Sequence, residues 1–367
     1  MNKPAFVKEI AKIRNKSKSL RAPHFRVISW IEGSPLPNGG RGTSLTFILP
    51  TRACRFAEAE HGGCSMCGYP NENPPDPPLK LIETLPEITM EHFMKKKVEG
   101  PMVIKFFTSG SFLDRLELPP HIREKMISQF AQLEQIKEII IESRAEYVIK
   151  KNIESLLKVA PAEKITIAIG LESADDEINK RSVNKGMTWK QFKRAVELAR
   201  SYGIRIKAYI LLKPIFLTEY LSIHDAILSA EKAIEIGVET ISINSSNIQK
   251  GTLMEKMFNL KRYRSPWLWS SLIVTKKIKQ RHPEIRVITD PVAAGLIRGA
   301  HNCGKCDKMV KNALSEFSYT QDLSYLENIT CDCYERYLSF LIADIMGSGL
   351  GFIFEDYELS KKNLPKQ

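Results

Sequence analysis

A chain of 367 residues, 43% hydrophobic and 26% charged, is long enough to bury a barrel-sized core beside a smaller second unit, and its composition is that of an ordinary globular protein. No run approaches the ~18 apolar residues of a membrane span, and the N-terminus lacks the apolar segment of a signal peptide, which argues against membrane insertion and points to a cytosolic protein. The 54 Lys and Arg against 42 Asp and Glu give a formal charge of +12 and a pI near 9.2, which suits a polyanionic partner such as RNA but does not by itself require one.

Residues 1–30 form a basic N-terminal arm. Eight Lys or Arg and one acid, Glu9, fall between Met1 and Arg26, with Ile10 and Ile13 spaced for a short amphipathic helix. Such an arm is either a solvated face or a grip for phosphate. Ser34 to Arg41 reads as a Gly- and Pro-rich loop, and Ser44 to Pro50 as the first buried strand. Cys54, Cys64 and Cys67 follow in one loop, with Gly68 and Tyr69 trailing them. Thiolates are soft ligands for iron–sulfur clusters, zinc or copper(I), and a four-iron cluster on only three protein thiolates leaves one iron open to an outside ligand. The same loop admits a zinc site completed by His61 or a distant cysteine. Pro70 to Pro78, five prolines in nine residues, is a connector.

Strands are then expected at Met102–Phe107, Glu138–Ile141, Lys164–Ile169, Ile204–Leu212 and Thr240–Ile243, with helices at Ile122–Leu133, Trp189–Ala199 and Ile223–Ile236 between them. Their ends carry polar groups: Thr108-Ser109-Gly110, Glu142-Ser143-Arg144, Gly170-Leu171-Glu172-Ser173, Lys213-Pro214 and Asn244-Ser245-Ser246-Asn247. Glu142 and Arg144 lie two apart and so share one face of a strand, where they form either a surface ion pair or part of a barrel mouth. Six strands alternating with helices imply a parallel sheet, read as α/β with a partial (β/α)6 TIM-type barrel over residues 31–285; a doubly wound sheet fits the pattern alone equally well. Lys261 to Trp269 interleaves cations with aromatics and reads as an RNA surface, or, for Trp267 and Trp269, as core of the next helix.

Residues 286–367 change character and read as a small C-terminal metal-binding domain. A short strand, Arg286–Thr289, precedes Cys303-x2-Cys306 and Cys331-x-Cys333, with 24 residues between Cys306 and Cys331. Two close pairs at that separation suit a structural zinc site with four cysteine ligands, with a second iron–sulfur cluster as the alternative and His301 as a surface residue beside it. Tyr334 to Met346 reads as a helix packing this unit on the barrel, and the tail from Lys361 as loose. Three cysteines in the first loop and four here account for all seven.

The cysteine loop with its trailing aromatic resembles that of the radical S-adenosylmethionine superfamily. The two residues between Cys64 and Cys67 match; nine residues between Cys54 and Cys64, where three are familiar, resemble the tRNA-modifying branch that includes the Elongator catalytic subunit and, more closely, the archaeal radical enzymes of archaeosine synthesis. Gly170 to Ser173 and the turn Gly186-Met187-Thr188 are similar to motifs of the same branch. The resemblance implies a [4Fe-4S] cluster on Cys54, Cys64 and Cys67, with S-adenosylmethionine held by Tyr69, Thr108, Ser109, Gly110, Glu142, Ser143, Arg144 and Glu172. Glu172, Asn244 and Lys213 are the candidate catalytic groups, chosen by strand-end position. It further implies a lyase acting on tRNA with a lysine adduct on a 7-deazaguanine of the D-loop, an electron donor, and a complex with the enzyme that attaches the lysine.

Elongator-like enzymes need an acetyltransferase domain for which no residues remain, and methylthiotransferases need a cluster domain ahead of a radical loop that only 53 cysteine-free residues precede. Another radical tRNA-modifying enzyme, and a zinc-stabilised RNA-binding protein without catalysis, remain as alternatives.

Overall fold

The computed structural model describes residues 4–18, 25–74 and 76–347; the tail from Lys361 lies outside them. One eight-stranded sheet organises the chain: β1 (Ile28–Pro35), β2 (Arg41–Ile48), β3 (Met102–Phe107), β4 (Ile136–Ser143), β5 (Ile165–Glu172), β6 (Arg205–Leu212), β7 (Thr240–Ser245) and β8 (Arg286–Ile288) lie side by side in chain order. β1 and β2 are antiparallel, and every later neighbour is parallel. This is a half-barrel, with the site-bearing loops at the C-terminal ends of the strands.

The crossovers are α1 (Ala5–Lys18) ahead of the sheet, then α2 (Leu85–Lys96), α3 (Pro120–Ala131), α4 (Lys150–Leu157), α5 (Trp189–Ser201), α6 (Glu219–Glu235), α7 (Leu268–Arg281), α8 (Asp307–Thr320) and α9 (Cys333–Gly347). Thr188 opens α5 with a capping box, its hydroxyl accepting from the Gln191 N–H while the Gln191 side chain accepts from the Thr188 N–H. That box satisfies two of the N–H groups a helix start leaves unpaired. Among the described residues no helix is long and apolar enough to cross a membrane.

The two faces of the sheet differ in kind. Ile104, Phe106, Ile139, Ile141, Ile167, Ile169, Ile206, Ile210, Ile241 and Ile243 are fully buried under the helices, each worth about 1.5–3 kcal/mol of transfer free energy. Because side chains alternate along a strand, the intervening positions point into the barrel. There the lumen carries Lys105, Glu138, Glu142, Arg205, Lys207, Tyr209 and Arg286. Its floor is an ion cluster: Arg286 grips Glu138 at 2.8 and 3.0 Å, and the Thr166 hydroxyl donates to the same carboxylate at 2.5 Å.

The open side of the half-barrel is filled by α8. The Tyr319 ring packs 3.2 Å from where a Cβ on Gly33 of β1 would stand, while Ser318 receives the Thr289 N–H just beyond β8. The sequence reading puts Arg286–Thr289 in the C-terminal unit; in the fold Arg286–Ile288 is the eighth strand, hydrogen-bonded beside β7. β1 replaces part of the loop expected from Ser34 to Arg41, whose true turn is Leu36 to Gly40. The N-terminal arm is also corrected, in that α1 is docked: Val7, Ile10 and Arg14 are buried, the last two against the cysteine loop and the helical turn Leu253–Asn259.

Candidate active site and metal centre

The cysteine loop is held from three directions. From α1, Arg14 donates to the carbonyls of Gly62 at 3.0 Å and Cys67 at 2.6 Å, and to the Asn71 side chain at 2.8 Å. From the segment ahead of α5, the Ser65 N–H and hydroxyl donate to the carbonyls of Val183 and Ser182, and Asn184 donates to those of His61 and Gly63. Gln249 accepts the Gly68 N–H. Cys54 caps the short helix Arg55–Glu58, whose Phe56 ring lies between the Arg144 guanidinium, 4.5 Å from the ring centre, and the His61 ring at 5.5 Å.

Burial pushes the Cys54 thiol up to about 11 and the Cys67 thiol up to about 12, and the three sulfurs act on one another electrostatically. A thiol in that position gives up its proton to a metal rather than to water. Among the described residues, the one group of His, Cys, Asp and Glu ligand atoms lying within 4.8 Å of one another is Cys303, Cys306, Cys331 and Cys333. Cys64 and Cys67 line the polar cavity, while Cys54 stays off its lining, just ahead of the helix Arg55–Glu58; three thiols on one loop suit an iron–sulfur cluster with one iron open to the cavity.

That cavity, about 390 Å³, opens at Cys64 and Cys67 and runs into the barrel. Tyr69, Thr108, Ser109, Gly110, Glu142, Ser143, Arg144, Glu172 and Asn244 all line it, so the fold brings together every residue expected to hold the cofactor. The Thr108–Gly110 turn is tied down on both sides. The Ser109 hydroxyl donates to the Tyr69 carbonyl at 3.3 Å, and the Ser111 N–H donates to Glu117 at 2.6 Å. Gly110 must lack a side chain, because a Cβ there would overlap the Glu117 carboxylate. Burial raises Glu117 to about 8. Burial also raises Glu142 to about 7, against the pull of Tyr209 and Lys207.

Glu172 sits at φ 64, a strained conformation for a residue with a side chain, and accepts from Lys185 Nζ at 2.8 Å. Burial would lower the Lys185 ammonium, but the Glu172 carboxylate holds it above its ordinary range. Arg144 donates to the Lys185 carbonyl at 3.1 Å and to Glu146 at 2.5 Å. Asn244 accepts from the Ser242 hydroxyl at 3.3 Å.

Lys213 is placed elsewhere. Its ammonium is locked at 2.5 Å to Glu219, which also receives the Ser270 hydroxyl and the Trp267 N–H, in a buried polar knot off the cavity. The strand end brings its backbone near the mouth while its side chain turns away.

The second cysteine group is compact: Sγ–Sγ distances are 3.8 Å for Cys303 and Cys306, 3.7 Å for Cys303 and Cys331, and 3.6 Å for Cys306 and Cys333. A tetrahedron with metal–sulfur arms of about 2.3 Å has edges of about 3.8 Å. The backbone N–H groups of Cys306 and Lys305 help to bring Cys303 down to about 7 although burial opposes it, while burial pushes Cys333 up. The Trp269 indole N–H donates to Cys333 Sγ at 3.3 Å. His301 is not a member of the group; its Nδ1 faces the Gly299 carbonyl at 2.8 Å.

The aromatic run beside this group is not a stacking platform. Trp267 and Trp269 are buried, Arg264 Cζ lies 4.3 Å from the centre of the Trp267 ring, and Tyr263 donates to the Lys213 carbonyl. Sequence reasoning passed over Arg14, Glu117, Lys185, Lys207 and Tyr209. For the last two a signal existed: in Ile206-Lys207-Ala208-Tyr209-Ile210 the polar residues alternate with apolar ones, marking a face that does not meet the helices.

The family model of the Radical SAM superfamily matches residues 48–227. Archaeosine synthase subunit beta of Methanosarcina acetivorans is 36% identical over 335 residues, 91% of this chain and 95% of its own length. The protein of the same name from Thermococcus kodakarensis is 42% identical over 305 residues, 82% of this chain and 92% of its own. Among solved structures, the archaeal Methanocaldococcus infernus Elp3 with an N-terminal deletion superposes with a TM-score of 0.48 at 13% identity, over 65% of this chain and 59% of that one.

Proposed function

The chain belongs to the radical S-adenosylmethionine superfamily and, within it, to the family of archaeosine synthase subunit beta, and from that premise we propose that it is a lyase that cleaves the C–N bond of a lysine adduct on a tRNA 7-deazaguanine, leaving the formamidine of archaeosine. The observation that carries the reading is the cavity that joins Cys64 and Cys67 to the polar ends of β3, β4, β5 and β7. Bound there, a [4Fe-4S] cluster with S-adenosylmethionine supplies a 5′-deoxyadenosyl radical able to take hydrogen from an unactivated carbon.

The protein's own residues position and enclose. Cys54, Cys64 and Cys67 hold the cluster. Tyr69 and the Thr108–Gly110 backbone face the cofactor's amino-acid end, and Glu142, Ser143, Arg144 and Glu172 its polar groups. Lys185 neutralises Glu172, so the wall beside the reacting carbon carries no net charge from that pair. Asn244 offers an amide to the substrate. Lys213, committed to Glu219, supports the β6 end and takes no catalytic part. Cys303, Cys306, Cys331 and Cys333 hold zinc, a closed structural site with no open position. The partners are tRNA, an electron donor, and the subunit that attaches the lysine, as the relatives' designation as a beta subunit suggests.

The test is to incubate the reconstituted, reduced protein with S-adenosylmethionine and lysine-adduct tRNA, digest the tRNA to nucleosides and weigh them. Archaeosine appearing in step with loss of the adduct supports the lyase. An adduct left intact while 5′-deoxyadenosine accumulates contradicts it.

A further inference from the structure

Below the mouth, the main cavity continues into the barrel and meets a second chamber of about 50 Å³; Glu32, Lys105, Lys207, Ile288 and Asp290 line both. The charges along this passage are unevenly answered. Lys105 is paired with Glu32 at 2.9 Å. Glu138, on the floor, is taken up by Arg286 and Thr166. Lys207 is only 6% exposed, lies 4.8 Å over the Tyr209 ring, and donates a hydrogen bond to no acceptor among the described residues. Asp290, just past β8, likewise accepts none among the described residues, and the two act on each other only at longer range. Burial, together with the Lys105 and Arg286 charges, pulls Lys207 down to about 7. A buried lysine held near 7 gains its proton readily when an anion is placed beside it, so the site can take a carboxylate that its own hydrogen bonds do not supply.

At the mouth Glu172 is paired with Lys185 and Arg144 with Glu146, whereas Glu142 acts on Lys207 without a hydrogen bond to it; Lys207 and Asp290 line both the main cavity and the second chamber, Asp290 with an exposed face. Lys207 is two residues before Tyr209 on β6, a step of roughly 6.6 Å down the strand. From a lysine ε carbon to its carboxyl carbon is five single bonds, roughly 6 Å when extended. We propose that Lys207 and Asp290 form a receptor for the α-amino-acid end of the substrate's aliphatic tail, Lys207 taking the carboxylate and Asp290 the ammonium, so that the tail's far carbon is held at the mouth. This rests on the substrate reading given under the proposed function, and it assigns the deep lumen to selection of the adduct rather than to the cofactor.

The test is equilibrium filter binding on the full chain with both cysteine sites loaded, unreduced so that no turnover occurs. Four tRNAs carry, on the same 7-deazaguanine, a lysine adduct, a cadaverine adduct without the carboxylate, a pentylamine adduct without either charge, or the unmodified nitrile. Wild type is expected to bind the lysine adduct about 10- to 100-fold more tightly than the pentylamine adduct, the range of a charge-assisted hydrogen bond or two. Lys207→Met should erase the step between lysine and cadaverine, and Asp290→Asn the step between cadaverine and pentylamine. Melting temperatures verify folding; if Lys207→Met does not fold, the Asp290→Asn step decides. Wild-type affinities for the lysine and pentylamine adducts within about twofold of each other, or steps that survive both substitutions, overturn the receptor while leaving the substrate reading in place. Equal binding of all four tRNAs overturns the substrate reading and the receptor together.

Discussion

Arg14, on a helix 53 residues upstream, places Nη2 2.6 Å from the backbone carbonyl of Cys67. The contact joins the N-terminal helix to the loop that presents Cys54, Cys64 and Cys67. Because the guanidinium also holds Gly62 and Asn71, its fork spans both sides of the Cys64–Cys67 turn.

Arg14→Ala leaves three acceptors without their donor and should cost about 2–3 kcal/mol of stability. Arg14→Lys cannot reproduce the fork and should recover only part of it. Iron retained after anaerobic desalting is the measurement, and the expected order is wild type, then Lys, then Ala. Equal retention in all three would mean that the loop holds its shape unaided.

Trp269→Phe removes the indole donor from Cys333 but keeps a ring in the core. Hydrogen bonds to metal ligands commonly contribute 10- to 100-fold in affinity, so the variant should lose the metal bound there to a chelator at a concentration lower by about that factor. The 5′-deoxyadenosine yield of freshly loaded protein should change little, since this centre lies apart from the barrel cavity.

Gly186 has φ +63, and a Cβ on it would overlap the Phe56 ring. That ring is in contact with the Arg144 guanidinium and the His61 ring, so moving it disturbs both. Gly186→Ala should cost about 2–3 kcal/mol from backbone strain and overpacking. It should also weaken S-adenosylmethionine binding, read by calorimetry, because the Arg144 side chain is displaced with the ring.

Glu117 is raised to about 8 by burial, whereas in an unfolded chain it returns to the ordinary carboxyl range. Between about pH 4.5 and pH 8 the folded protein therefore holds a proton that the unfolded chain has lost, and stability falls as the pH rises through that window. Glu117→Gln keeps an acceptor for the Ser111 N–H and removes the titration. The drop in unfolding free energy between pH 5 and pH 8, read from urea titrations, should be smaller in the variant, by an amount on the order of a few kcal/mol. Parallel pH dependence in the two proteins would contradict this.

Much of the barrel was legible because the outer face of each strand is an isoleucine-rich run bounded by polar ends, and those ends are where barrel loops gather. The cysteine spacings marked both cysteine groups: Cys303, Cys306, Cys331 and Cys333 come within 4.8 Å of one another, and Cys64 and Cys67 open on the cavity. β1 was not legible: Trp30, Glu32 and Gly33 alternate poorly, and the strand is defined by its partner β2 and by Tyr319 above Gly33, contacts far away in sequence. Lys213 and Glu172 occupy equivalent strand ends, yet one turns into a knot with Glu219 and the other faces the cavity. Both residues lie in the left-handed region, φ 64 in each case, so the local backbone does not tell them apart; their ion partners, Glu219 and Lys185, do, and neither pairing leaves a trace in the hydrophobic pattern. Arg14 escaped notice because its acceptors are backbone carbonyls, which the sequence does not display.

On the proposed reading, Cys54, Cys64 and Cys67 build a site for radical chemistry. The direct measurement is 5′-deoxyadenosine formed by anaerobically reconstituted, dithionite-reduced protein given S-adenosylmethionine, set beside the same protein carrying Cys54→Ala, Cys64→Ala and Cys67→Ala together. Iron, sulfide and zinc are counted on both samples. A four-iron cluster and 5′-deoxyadenosine are expected in wild type, both lost in the triple variant, with the metal at the second cysteine group retained in each. A wild-type protein that binds zinc in the first loop, carries no sulfide and makes no 5′-deoxyadenosine would contradict it.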